Sequence, residues 1–225
     1  MHNPRDVRLG VRAGSSENQK MGYTSIYAYA WDLAEAGVSG AIDRFLALGL
    51  DTVTVAGSYH AGKFLRPNGQ SGKVYFPEDG AVYFKPEPER YGAIKPISHS
   101  MIALGEDMVG ALAAQDRIAT NVWLVLLHNT RLGAAYPQAT VANAFGDRYI
   151  YNLCPSAPEA RAYAVGLALD VTESYPVSGA GGSHPRALAE PYVTLSRHTA
   201  PIVRPRTALP DPQGSSHRWL TLVSG

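Results

Sequence analysis

Apolar and polar positions change rhythm along this chain, and each rhythm predicts an element. Residues 25–31 (Ser-Ile-Tyr-Ala-Tyr-Ala-Trp) are rich in β-formers and end at Asp32, which predicts a first strand. Ile42, Phe45 and Leu46 recur at helical spacing within 40–48, with Ser39 as the expected N-cap and Gly49 as the C-cap. A second apolar run, 52–56, leads into Ser58, Tyr59 and His60. The run 122–127 is apolar throughout and stops abruptly at His128, Asn129 and Arg131. Continuous apolarity, rather than alternation, predicts strands buried on both faces, as in a parallel sheet.

The stretches between these runs are less regular. Residues 61–96 carry turn signals at 67–69 and 78–80, between strand-like pieces at 73–76 and 81–84, and read as an elaborated loop holding a hairpin. Ser98 or Ser100 opens a helix to about Gln115, and a strand follows over 120–127. A long loop spans 128–155; Ser156 is the expected cap of a helix through about Ser174, with Pro158 in its first turn and Pro176 ending it. Strand and helix therefore alternate, which implies a parallel sheet with helical crossovers. The long loops follow strands and the returns are short, so the ligand face is the carboxyl end of the strands. The first strand lacks a Gly-rich phosphate turn, which favours a (β/α)8 TIM barrel over a nucleotide-binding sheet.

The alternation stops after Gly179, where a fourth strand is due and Ala180-Gly-Gly-Ser-His-Pro185 stands instead. Residues 187–195 are the strand-like piece beyond it, interrupted by Pro191. A whole barrel takes roughly 250 residues. The expectation is an α/β chain in three parts: a disordered tail over 1–22, an incomplete TIM-barrel-like domain over 23–179 (about the N-terminal half), and an irregular tail over 180–225 that is either a disordered extension or an out-of-frame continuation, the plainer reading being a small C-terminal subdomain. Half a barrel has two open sheet edges, which predicts self-association.

Composition narrows the partners. A net charge of +1 across 225 residues gives no general attraction to nucleic acid or acidic membranes. No apolar stretch reaches the length of a membrane span, and 1–20 has no signal-peptide core, so a cytoplasmic location is expected. The single cysteine, Cys154, excludes an internal disulfide.

The candidate chemistry clusters at predicted strand ends. His60 and His128 end two different strands and suit proton transfer or donation to hydroxyls; the plainer reading is a pair of satisfied structural histidines. A metal would require a third ligand such as Asp32, and neither HxH nor HExxH spacing occurs, so no metal or cofactor is expected. Asp32, Glu78, Asp79 and Asp147 are the placed carboxylates, or else a turn cap (Asp32), plain turn chemistry (Glu78-Asp79-Gly80, the favoured reading for Asp79) and a partner for loop amides (Asp147). Asn129 and Arg131 suit hydroxyl or carboxylate recognition. Trp31 and Tyr59 offer flat faces for a pyranose ring.

The segments Tyr27-Ala-Tyr-Ala-Trp-Asp32, Tyr59-His-Ala-Gly-Lys63, Val74-Tyr-Phe-Pro-Glu-Asp79, Leu127-His-Asn-Thr-Arg131 and Asn143-Ala-Phe-Gly-Asp147 resemble uncharacterised bacterial TIM-barrel proteins of the glycoside-hydrolase-like superfamily. The resemblance covers about 21–179 and implies a carbohydrate-active hydrolase, with a general-acid carboxylate after strand four and a second one after a late strand. The chain departs from that pattern: no Glu follows a strand four, and Glu190 is the nearest substitute. The expected function is a glycosidase-like hydrolase or a truncated fragment of one, acting on a carbohydrate ligand. Its catalytic residues would be Asp32, His60, His128 and Asp147, and its substrate contacts Trp31, Tyr59, Glu78, Asn129 and Arg131. The alternatives are a sugar isomerase or metal-dependent hydrolase with His60 and His128 as ligands, and an inactive fragment or carbohydrate-binding module.

Overall fold

The computed structural model describes residues 23–183 and 193–196. Strands β1 (Ser25–Ala28), β2 (Thr52–Tyr59), β7 (Ala119–Val125) and β10 (Gly179–Ser183) lie side by side in chain order, each parallel to its neighbour. The order never reverses, so this part of the sheet has no switch point of the doubly wound kind. β11 (Val193–Ser196) adds antiparallel to β10. The crossovers carry α1 (Ala30–Ala36) and α2 (Val38–Ala47), then α3 (Ser100–Ala103) and α4 (Met108–Ala113), then α5 (Thr130–Ala135) and α6 (Pro158–Ser174).

The long loops contain small sheets of their own. β3 (Phe64–Leu65) pairs antiparallel with β4 (Val74–Tyr75), and β8 (Thr140–Ala142) with β9 (Arg148–Leu153). β5 (Ala81–Val82) pairs antiparallel with the carboxyl end of β2 and parallel with β6 (Ile97–Ser98). The hairpin expected between 73–76 and 81–84 is therefore replaced by two separate pairings.

Five other expectations are corrected. The first strand ends at Ala28, and Ala30–Ala36 is helix, so Trp31 and Asp32 sit in a first helical turn rather than at a strand end. The alternating Tyr-Ala-Tyr-Ala-Trp pattern carries β-formers across a boundary that has no side-chain cap. α2 begins at Val38 after Gly37, so Ser39 lies inside it, and α6 begins after Ala157 rather than Ser156. The helix expected over 98–115 breaks at Gly105, whose φ of 82° is left-handed. The fourth strand does form, at Gly179–Ser183, where glycines gave no apolar signal. The terminal tail expected over 1–22, and Glu190 with most of the tail expected over 180–225, lie outside the described residues. Among the described residues no helix is long and apolar enough to cross a membrane.

The core has two parts. Val53 and Val55 of β2 and Val122 and Leu124 of β7 pack with Ile42, Leu112, Tyr163 and Leu167 from the helices. Ala56, Tyr59 and Val125 belong to a second, aromatic cluster with Trp31, Tyr83 and Met101, and Trp123 packs against it. The split between Val55 and Ala56, and between Leu124 and Val125, is the two-residue period of a strand. β2 is buried at seven of its eight positions, Thr52 and Ser58 included, as a strand covered on both faces requires.

Candidate functional site

A bulge shapes the carboxyl end of β2. The register with β7 slips between Ala56 and Ser58, leaving Gly57 as the extra residue. A Cβ there would come within 2.5 Å of the Val122 side chain, so only glycine lets the strands approach. Just beyond, the buried Ser58 hydroxyl donates to the Val125 carbonyl (3.2 Å) and accepts from the Val125 amide (2.9 Å). The two strand ends are thereby fixed against each other where each releases a histidine.

His60 and His128 meet, with ring centroids 4.7 Å apart. Tyr59 stacks on His60 at 4.6 Å. His60 Nδ1 lies 2.6 Å from the Ala61 carbonyl, which can only accept, so Nδ1 carries the proton. The Ala61 amide in turn donates to Asp79 Oδ1 at 3.0 Å. His128 is held by β9: it forms an antiparallel bridge with Asn152, flanked by Leu153 N–H to Leu127 O (2.8 Å) and Asn129 N–H to Tyr151 O (3.0 Å). Burial, and then the nearby His60, push the His128 pKa below the usual histidine value, with Asp79 opposing. His128 is therefore a neutral imidazole near pH 7, able to take a proton.

The second group grows from α1. Asp32 and Glu35, three residues apart, share one helix face. Arg66, 8% exposed, reaches between them: Nε donates to Asp32 Oδ1 at 2.6 Å and Nη2 pairs with Glu35 Oε2. Glu35 Oε1 accepts from the amides of Ser71 (2.6 Å) and Gln70 (2.9 Å). The Ser71 amide and hydroxyl, then the Gln70 amide and Arg66, outweigh burial and hold Glu35 below the usual carboxylate range. The Arg66 guanidinium lies over the Tyr75 ring, 5.3 Å from its centre. These groups border a pocket of about 310 Å³, walled also by Trp31, Met101 and Glu106.

Aromatic rings join the two groups. Trp31 stacks on Tyr29 (4.4 Å) and on Tyr75 (4.8 Å) and meets Tyr59 edge-on at 6.0 Å. Two buried donors in this cluster, Trp31 Nε1 and the Tyr83 hydroxyl, have no hydrogen-bond partner among the described residues.

Of the residues singled out from the sequence, the structure brings His60, His128 and Tyr59 together. Asp32 joins Arg66 on the far side of the aromatic cluster rather than the histidines. Trp31 and Tyr59 are 4% and 7% exposed, so they are walls rather than open platforms for a sugar ring. Glu78 sits between His99 Nε2 (3.6 Å) and the Ser100 amide (3.2 Å). Burial raises its pKa, but the Ser100 hydroxyl and amide, His99 and Arg131 outweigh this and hold it low. Arg131 is exposed, with Nη1 3.5 Å from the Asp79 carbonyl.

Asn129 is corrected to a scaffold residue. It is 3% exposed; its Nδ2 donates to Gly80 O (2.8 Å) and its Oδ1 accepts from Leu132 N–H (2.9 Å), capping α5. Gly80 has a φ of 62°, and a Cβ there would collide with the Asn129 amide. This clamp ties the Glu78–Asp79 turn to the start of α5. Asp147 is exposed at the tip of the β8–β9 hairpin, where its carboxylate accepts from Asn143 Nδ2 at 3.0 Å. Asn143 Oδ1 also accepts from the Phe145 and Asp147 amides, so this is turn chemistry and not part of the histidine site.

Sequence reasoning missed Arg66, Glu35 and Glu106. The i, i+3 spacing of Asp32 and Glu35 is a signal for a shared helix face, but it is visible only once 30–36 is read as helix. Arg66 sits among turn residues with no local signal. Among the described residues no group of three His, Cys, Asp or Glu side chains is placed to hold a metal ion. Comparison of the chain with family models, curated proteins and solved structures found no match.

Proposed function

We propose that this chain is a carbohydrate-active α/β protein of glycosidase-like, (β/α)8 ancestry, with its site on the carboxyl rim of β1, β2 and β7. The observation that carries the reading is the contact of His60 and His128 at the ends of adjacent parallel strands, with Asp79 beside them. The unreversed order of four parallel strands supports the barrel-type ancestry, because consecutive parallel neighbours are how such a barrel is built. The pocket beside the aromatic cluster adds polar groups, Glu35, Arg66 and Ser71, of the kind that sugar hydroxyls use.

In this reading neutral His128 acts as proton acceptor toward a sugar hydroxyl or a water, and His60, with its proton fixed on Nδ1, presents Nε2 as a second acceptor. Arg131 and Glu78 stand at the edge of the same rim.

A second reading, a carbohydrate-binding module, is favoured by the carboxylates. Hydrolysis by paired carboxyl groups needs one that stays protonated at working pH. Glu35 and Glu78 are both displaced the other way, by amide hydrogen bonds and neighbouring cations. Titration with a panel of monosaccharides, followed by backbone amide NMR, tests the site. Shifts are expected at Tyr59, His60 and His128, and His128→Ala should weaken binding about tenfold with an unchanged urea midpoint; tenfold corresponds to about 1.4 kcal/mol. Affinity indifferent to His128→Ala removes the histidine pair from the site. Hydrolysis of an aryl glycoside by the full chain would decide for the enzyme over the module.

A further inference from the structure

Resting on that reading, we propose that Asp79 and Asn129 are positioning residues for the histidine pair, and that together they fix the proton of His60 on Nδ1. The residues form a closed ring of contacts. Asn129 follows His128 in the chain, is buried, and donates from Nδ2 to Gly80 O at 2.8 Å. Asp79 precedes Gly80, and its Oδ1 accepts from the Ala61 amide at 3.0 Å. Ala61 in turn offers its carbonyl to His60 Nδ1 at 2.6 Å. The His60 ring lies against His128, with centroids 4.7 Å apart, and the path returns to its start. It joins three loops, those after β2, before β5 and after β7.

Each link is held by more than its own bond. The Asn129 amide cannot rotate without also losing the Leu132 N–H that its Oδ1 accepts at 2.9 Å. Gly80 sits so close to that amide that a Cβ would collide with it, which keeps the Asp79 turn in place. Tyr59 stacks on the His60 ring at 4.6 Å and limits its rotation. Ala61, by contrast, is exposed, and the Asp79 carboxylate is what anchors its amide. A neutral imidazole has one donor and one acceptor nitrogen, and the bond made at one decides the role of the other. The Ala61 carbonyl can only accept, so it keeps the proton on Nδ1 and leaves Nε2 as the acceptor toward a sugar hydroxyl. A solvated imidazole favours the opposite tautomer. Without Asp79, His60 would therefore present a donor at Nε2 and lose that role. What is asked of Asp79 is one accepted hydrogen bond and not its charge, so an asparagine serves in its place.

Long-range proton–nitrogen NMR of the full chain, labelled with nitrogen-15 and held at mildly alkaline pH where histidines are neutral, reads the tautomer of His60 directly. The Nδ1–H form is expected in the wild type and in Asp79→Asn, and the Nε2–H form should predominate in Asp79→Ala. Asn129→Asp keeps the oxygen that caps α5 and loses the donor to Gly80, so it should move His60 the same way from the far side of the ring. A His60 that stays Nδ1–H in Asp79→Ala overturns the proposal, and so does an Nε2–H form in Asp79→Asn. A response to Asp79→Ala with none to Asn129→Asp overturns the part given to Asn129. Asp79 is only part-buried, so Asp79→Ala decides alone if Asn129→Asp does not fold. No sugar is present in this experiment, so its failure leaves the carbohydrate reading standing. The expected tautomers in a chain whose histidine signals ignore monosaccharides would support the positioning and count against that reading.

Discussion

On the helix side of the sheet, Val53, Val55, Val122 and Leu124 meet Ile42, Leu112 and Leu167, all but completely shielded from water. Tyr91, which with Tyr163 brings a hydroxyl into that side, donates it to Asp170 at 2.7 Å. On the opposite side, toward the strand ends, the packing is by Tyr29, Trp31, Tyr59, Tyr75 and Tyr83, with two buried donors unpartnered and a pocket opening beside them. The first side resembles the interior of any stable domain. Buried polar atoms without a partner among the described residues occur on both, the Thr120 hydroxyl on the first and Trp31 Nε1 and the Tyr83 hydroxyl on the second, but the second also holds charged groups beside a pocket, as ligand sites do. The contrast teaches that the two faces of one sheet are packed by different means, aliphatic side chains on one and stacked rings on the other.

The comparison breaks first where the aliphatic side is weakened. Leu124→Ala should cost about 2–5 kcal/mol, read as a fall in urea midpoint, because a fully packed site cannot collapse around the cavity. A loss under about 1 kcal/mol would show that side to be loosely packed. Arg66→Met on the other side should cost on the order of 2 kcal/mol by the same measurement, since it leaves Asp32 and Glu35 facing each other; the figure is held below that of a fully buried pair because the Asp32 side chain is 44% exposed.

Two tyrosines sharpen the contrast. Tyr91→Phe orphans part of the fully buried Asp170 and should cost about 1–3 kcal/mol. Tyr83→Phe removes a buried hydroxyl that has no partner, and should be neutral or slightly stabilising. Equal losses in the two variants would erase the distinction between the faces.

The smallest effect is in pH. Burial holds His128 and His99 below the usual histidine value in the folded chain. Their contribution to stability is complete above the unfolded histidine pKa of about 6.5 and is lost as pH falls through it toward the folded values, because the unfolded chain takes up protons first. The urea midpoint should therefore drop between pH 7 and pH 5, and less steeply in His128→Gln. A midpoint whose slope is the same in that variant would remove His128 from the effect.

Much of the sheet was legible in the chain. The apolar-rich runs of β2 and β7 announced themselves, and so did the histidines that follow them, because strands covered on both faces draw mostly on apolar side chains. β10 was illegible because Gly179, Gly181 and Gly182 carry no apolar side chain; its place comes from hydrogen bonding to β7. α1 was mistaken because Tyr29 and Trp31 favour strands locally, while burial of Trp31 and Leu33 decides for helix. Half of the site was readable for the same reasons. The histidines follow runs with a strong period. Arg66 and Glu35 come together across 31 positions, through a loop whose own residues signal only turns.

Gly57 works as slack in the strand. Side chains alternate along β2, so an odd residue kept in regular pairing would exchange the two faces for everything after it. Looped out at the bulge, Gly57 leaves Ser58 opposite Leu124, and Tyr59 stays on the aromatic side with Ala56, three positions before it. Drawn into the ladder, the same glycine would turn Tyr59 toward the helices, so the rim depends on one residue staying out of step, and the spacing of this strand counts as much as its composition.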